Sequence, residues 1–376
     1  MRRLSASKRA FASRFFVPVV LVLAALAVAV VAYVWLRPFD PVRAEVVQAG
    51  LEHPWDLAFA ADGRMVVTER AGRVFVFASG EAGAQLLHTA RVPDVRAELE
   101  SGLMGIAVDG TTVFVCASRD PDDAPWRIEL LRSTLAEDGT LAPFEVVPLG
   151  GEAVGGPRHQ GCAVEVGLGH LWMTIGDANL PAGQNSAQDP GSLNGKILRL
   201  APDGPVDEAG PFSSAIFSIG HRNPQGIAFA PGDLALAAEH GTDVNDEINV
   251  IRAGGNYGYP CFTGGAEPGP IRDGCGPASD YVAPAWASGS PTLATSGIAV
   301  LNGSIWGGWE GRIVVSTLKE EDLRVFSLAS DSTLAPRDTW LDGRFGRLRA
   351  VVIGPDGALY VSTANGPGDR IVRVTR

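Results

Sequence analysis

Six times along the chain a small residue falls in a short apolar run: DLAFA at 56, GIAVD at 105, GCAVEV at 161, GIAFA at 226, GIAVL at 297 and AVVIG at 350. The intervals are 49, 56, 65, 71 and 53 residues, close to one propeller blade plus loop insertions. Behind each opening come a turn, a second apolar strand, a polar loop and a third strand near a basic residue. In the first and last repeats the turn is explicit, because Ala61-Asp62-Gly63-Arg64 and Pro355-Asp356-Gly357-Ala358 supply the Asp-Gly pair that suits a tight hairpin. The spacing therefore predicts an all-β chain built as a six-bladed β-propeller. The last repeat reaches Arg376 with too few strands for a blade, while Val42 to Gln48 alternates like a strand without a blade of its own. That first segment is expected to complete the last blade and close the ring, which removes exposed sheet edges. An open sandwich of the same strands is the alternative.

Composition agrees with many short strands: Gly 46 and Pro 26 in 376 residues, against 7% aromatic residues, make a turn-rich chain. A net charge of −11 argues against a nucleic-acid partner. The charge is uneven, since residues 1–14 carry five basic groups and no acid, which leaves −16 on the remainder. Phe15 to Leu36 then runs 22 residues without a charge, enough to span a hydrocarbon core of about 30 Å. This predicts a single N-terminal transmembrane helix: a cytoplasmic basic segment at 1–14, an uncleaved signal anchor at 15–36, a linker at 37–41 and an extracytoplasmic propeller at 42–376. The expected location is the cell membrane, single-pass; a long cleaved signal ending near Ala25 to Ala32 is the alternative. Outside the cytoplasm disulfides persist. Cys261 and Cys275 flank a Gly/Pro-rich loop and are expected to bridge, and a Cys116 to Cys162 bridge between neighbouring repeats is one of the arrangements the remaining pattern allows.

The densest polar stretch is Ile216 to Pro260, IFSIGHRNPQGIAFAPGDLALAAEHGTDVNDEINVIRAGGNYGYP. It holds Arg222 and Asn223, two histidines (His221, His240) and four acids (Glu239, Asp243, Asp246, Glu247). Apolar alternation at 227–229, 234–238 and 248–251 reads as strands, so the polar groups fall in the connections, where binding chemistry usually sits. In GHRNPQG at 220–226, EHG with DEIN at 239–249, and NYGYP at 256–260, the chain resembles the quinoprotein sugar dehydrogenases. These glucose and aldose dehydrogenases use pyrroloquinoline quinone (PQQ) and calcium on a six-bladed propeller. The resemblance runs from HPWDLAF at 53–59 to RIVRV at 370–374.

The resemblance implies an enzyme that oxidises an aldose at C1 to the lactone, with a sugar as substrate and a separate electron acceptor as partner; the N-terminal segment adds the expected membrane anchor. His159, in GGPRHQGCAVEVG, takes the family's position of general base; an imidazole, with an ordinary pKa of about 6.5, can accept a hydroxyl proton near neutral pH. Arg222 and Asn223 match the pair that approaches the quinone oxygens, and a guanidinium fork suits such acceptors. Thr292, Lys319, Arg347 and Arg349 match cofactor clamps, and Trp286 could give an apolar wall. Glu100 falls where the family usually has a glutamine against the cofactor. Carbonyls of Gly241 and Thr242 match the calcium that bridges the cofactor, while Glu247 and the Tyr257 carbonyl match a second, structural calcium. Asp177, Gln188, Asp189, Gly195 and Lys196 also match and read mainly as loop structure. Four residues depart from the pattern: Glu100, Arg158 in place of the glucose enzyme's acid, Cys162 in place of a glycine, and Thr242 in place of a proline. A propeller that has lost its cofactor and binds a protein or glycan is therefore a second reading. A third, a calcium-dependent lactonase, needs several acidic or amide ligands on one central ion.

Overall fold

Each of the six openings becomes the innermost strand of a four-stranded antiparallel sheet in the computed structural model. The structure describes residues 41–121, 125–181, 183–204, 210–264 and 275–376. The expected basic segment and membrane helix lie outside the described residues, among which no helix is long and apolar enough to cross a membrane. In chain order, β1 (Arg43–Glu52) precedes a first blade of β2 (Pro54–Phe59), β3 (Met65–Glu69), β4 (Arg73–Phe77) and β5 (Leu86–Arg91). The second blade is β6 (Leu103–Asp109), β7 (Thr112–Arg119), β8 (Arg127–Thr134) and β9 (Glu145–Val147). The third is β10 (Gly161–Gly167), β11 (His170–Ile175), β12 (Lys196–Leu200) and β13 (Ile216–Ile219). The fourth is β14 (Pro224–Ala230), β15 (Leu234–Glu239), β16 (Glu247–Ile251) and β17 (Trp286–Ala287). The fifth is β18 (Thr295–Val300), β19 (Ile313–Thr317), β20 (Leu323–Leu328) and β21 (Leu334–Trp340). The sixth has β22 (Leu348–Ile353), β23 (Leu359–Thr363) and β24 (Pro367–Thr375), and takes β1 as its outer strand.

The ring closes as expected, with β1 and β24 antiparallel from Arg43 opposite Thr375 to Glu52 opposite Pro367. Small residues open the repeats because inner strands of neighbouring blades meet at the axis. A Cβ on Gly105 would stand 2.3 Å from the Cys162 carbonyl oxygen, and one on Gly226 2.5 Å from that of Ser296. Every inner strand also breaks register near its start: at Pro54/Asp56, Leu103/Ile106, Gly161/Val164, Pro224/Gly226, Thr295/Ile298 and Leu348/Val351. Bulges of this kind re-aim side chains, and here they sit at the strand ends that carry most of the polar groups singled out in the sequence.

The core lies between blades. Met104, Phe114, Val164, Leu171, Met173 and Leu198, for example, are buried together between the second and third. Cys116 on β7 and Cys162 on β10 cross that boundary as a disulfide, and Cys261 bridges Cys275. Cys162 holds φ at 70°, the left-handed conformation that glycine adopts freely.

Candidate functional site

His159 precedes β10, and its Nδ1 lies 2.8 Å from Asp177 Oδ1. Asp177 is itself buried, accepting from Asn179 N at 2.9 Å and from Asn185 Nδ2 at 2.9 Å. A carboxylate so placed keeps a proton on Nδ1 and leaves the lone pair on Nε2. That lone pair accepts from Arg222 Nη2 at 3.0 Å. Tyr259 lies against Asp177 and Arg222, and burial, followed by the Asp177 charge, pushes its phenol up to about 12.

Arg222 and Asn223 enter β14 over a buried brace. One oxygen of Glu239 accepts the Arg222 and Asn223 backbone N–H groups, and the other faces His221 Nδ1 at 2.9 Å. His221 Nε2 in turn lies 2.8 Å from Ser218 Oγ, and its ring stacks on Tyr257 at 4.6 Å between centroids. The row Ser218, His221, Glu239 has the order of a nucleophilic triad, yet Ser218 and His221 are fully buried. A hydroxyl that no substrate reaches is a support. Above it, the Arg222 guanidinium donates to the His240 carbonyl at 3.2 Å, and Asn223 Oδ1 accepts from Gly161 N at 3.0 Å.

Gln225 links this pair to the sixth blade, accepting from Arg349 Nη1 at 3.2 Å. The Arg349 guanidinium lies 3.7 Å from the centroid of Trp55. Burial, then the nearby charge of Arg347, pushes Arg349 down to about 9. Arg347 is exposed and donates to the Leu318 carbonyl at 3.0 Å, and Lys319 reaches Thr292 Oγ1 at 3.5 Å. The polar partners of Arg222, Arg347 and Arg349 are carbonyl, amide, imidazole and phenol groups, with no carboxylate in ion-pair contact among the described residues. Three guanidiniums without a direct ion pair suit an anionic, oxygen-rich ligand.

Two departures from the sequence pattern prove to be one feature. Glu100 accepts from Arg158 Nη1 at 2.8 Å and from His159 N at 3.1 Å. Burial alone would raise the Glu100 carboxyl, but the His159 N–H, His240, the His159 ring and Arg158 outweigh it and hold it below its ordinary value. The carboxylate thus brings no uncompensated negative charge to the site.

Gly241, Thr242, Glu247 and Tyr257, expected at two metal positions, line a single cleft together with Arg222, His240 and Tyr259. Burial, then Glu239, raises Glu247 to about 8. Beside it Asn249 donates to Glu247 at 3.0 Å, while its own buried Oδ1 has no donor. A cation here would draw on these oxygens, a donor set suited to a hard ion. Among the described residues no three His, Cys, Asp or Glu side chains converge as a metal cage, so carbonyl oxygens would have to contribute.

Trp286 and Asp177 take other roles than the sequence implied, while Gln188, Asp189 and Lys196 brace loops as read. Trp286 packs edge-on against Phe326 in the outer part of the fourth and fifth blades, and Trp55 is the aromatic wall beneath Arg349. Lys196 is buried, its Nζ donating to the carbonyls of Ser186, Ala187 and Asn194 at 2.7–3.0 Å, and Gln188 pairs with Asn256. Asp189 caps its own turn through Gly191 N. Asp177, read as loop, is instead the partner of His159. Tyr259 and His240 belong to the site as well; both lie in motifs that were legible, EHG and NYGYP, without a spacing rule to give them a task.

The Glucose / Sorbosone dehydrogenase family model matches residues 51–373. Aldose sugar dehydrogenase YliI of Escherichia coli is 31% identical over 381 residues, covering 95% of this chain and 97% of that one. Quinoprotein glucose dehydrogenase B of Acinetobacter calcoaceticus is 28% identical and matches 73% of this chain and 63% of its own. Among solved structures, the PQQ-bound aldose sugar dehydrogenase of Streptomyces coelicolor superposes with a TM-score of 0.73 at 28% identity, over 90% of this chain and 99% of that one. With the matched family model spanning almost the whole propeller, the chain belongs to the glucose/sorbosone dehydrogenase family.

Proposed function

We propose that this protein is a PQQ-dependent aldose dehydrogenase that oxidises a sugar at C1 to the lactone, held outside the cytoplasm by its N-terminal anchor and passing electrons to a separate acceptor. The observation that carries the reading is the His159–Asp177 pair, capped by Arg222 beside guanidiniums that have no carboxylate in ion-pair contact among the described residues. When bound, PQQ supplies the o-quinone that accepts the hydride.

The protein's part is proton transfer and alignment. Asp177 keeps Nδ1–H of His159 in place, so Nε2 is the atom that takes the sugar hydroxyl proton. Arg222 Nη2 lies 3.0 Å from that lone pair and so stands beside the hydroxyl whose proton Nε2 takes. Arg349, on Trp55 and Gln225, would hold a second acidic group of the cofactor, with Arg347, Lys319 and Thr292 nearer solvent. Calcium is proposed at the cleft of Gly241, Thr242, Glu247 and Tyr257, where its charge would offset the burial, and after it the Glu239 charge, that raise the Glu247 carboxyl.

Titrating the metal-stripped full-length protein with PQQ and calcium, while following dye reduction with a panel of aldoses, tests this reading. Saturable, calcium-dependent uptake with sugar-driven dye reduction is expected. His159→Ala should lower turnover by about 10²–10⁴-fold, the usual contribution of a positioned base, with cofactor uptake retained. Failure of the folded wild-type protein to take up PQQ would overturn the proposal.

A further inference from the structure

His240 follows β15 and has no part in the proton transfer described above. Its backbone is fixed on both sides: the N–H donates to the Asn223 carbonyl at 3.2 Å, and its own carbonyl accepts from Arg222 Nη1 at 3.2 Å. Around the ring, hydrogen-bond directions fix the tautomer. Asn223 Oδ1 accepts from Gly161 N at 3.0 Å and from Gln225 Nε2 at 3.0 Å, so the amide nitrogen Nδ2 faces the other way. That nitrogen lies 3.4 Å from His240 Nδ1 and can only donate to it. In a neutral ring the proton then sits on Nε2.

Nε2–H is buried and meets no acceptor in the structure. A buried donor left unpaired is costly, so an acceptor belongs there when the site is at work. The neighbouring carboxylates are already committed. Glu100 serves Arg158 and the His159 N–H, Asp246 serves the N–H groups of Gly241, Leu293 and Ala294, and Glu239 serves the brace beneath. What remains around the ring is Arg222 and Arg349, two cations with no carboxylate in ion-pair contact among the described residues. We propose that His240 is a cofactor-binding residue whose Nε2–H donates to an acceptor oxygen of the anionic quinone, beside Arg222 and Asn223. The inference rests on the PQQ reading and adds to it a neutral donor among charged ones, which supplies direction where the guanidiniums supply attraction.

Equilibrium binding of PQQ to the full-length, metal-reconstituted protein tests it, using His240→Phe, which keeps a ring without donors, and His240→Gln, which restores one. Affinity should fall at least tenfold in His240→Phe and largely return in His240→Gln, with thermal unfolding showing both variants folded. Wild-type affinity in folded His240→Phe would overturn the inference and leave the dehydrogenase reading intact, because an ordered water would then be the acceptor. Absence of PQQ uptake by the wild type would overturn both. Should His240→Phe not fold, wild-type protein with ¹⁵N-labelled histidine decides: PQQ should slow solvent exchange of one imidazole N–H, and an unchanged exchange rate counts against the proposal.

Discussion

Glu239 braces the site from beneath. Its two oxygens hold the backbone of Arg222 and Asn223 from below and the ring of His221 from the side. Removing it leaves three buried donors facing nothing, and breaking a buried charged network of this kind costs about 3 kcal/mol or more. Glu239→Ala is therefore expected to lower the denaturant midpoint steeply, and the fraction that folds should bind cofactor poorly because Arg222 loses its footing. At this scale the sequence was informative about identity and silent about direction. His159, Arg222 and Asn223 could be named from their motifs. Asp177 could not be given its task, because 18 residues separate it from the imidazole it holds, and nothing in the local pattern says which loop folds back on which. For the same reason Glu100 and Arg158 looked like two separate defects, although side by side they neutralise each other.

The inner strands were the legible elements because close approach at the axis forces small residues into them at a steady spacing. Outer strands carry no such signal: β9 spans Glu145–Val147 and β17 only Trp286–Ala287, and each has one face with little to pack against. The bulge repeated in all six inner strands was illegible too, since it adds a residue without changing composition. It matters nonetheless, for it turns the ends of β10 and β14 so that His159 and Arg222 meet. The Cys116–Cys162 bridge pins one of those ends from behind. Replacing both cysteines with alanine should cost about 2–4 kcal/mol by denaturant unfolding. Glycine at 162 in the same background should recover about 1 kcal/mol, because the position keeps its positive φ whatever residue occupies it.

Across the whole molecule, the inner strands enclose an axial channel in which Asp56 and Glu165 face each other below Arg349. Burial raises Asp56 to about 7, and burial followed by the Asp56 charge raises Glu165 to about 8. The folded protein thus retains protons that the unfolded chain has released, so stability falls as pH rises from the ordinary carboxylate range toward 8. Glu165→Gln should be less sensitive: its melting temperature, relative to wild type, is expected to be higher by a few degrees at pH 8 than at pH 5. A melting-temperature difference between the two proteins that does not change with pH would place the source of any pH dependence elsewhere. The ladder that shuts the ring has a consequence for how the cell makes the protein. Arg43 is paired with Thr375, so the strand synthesised first among those described waits for the one synthesised last. A chain without Pro367–Thr375 leaves β1 and β23 with no shared neighbour, so the sixth blade keeps an unpaired sheet edge beside the strand that carries Arg349.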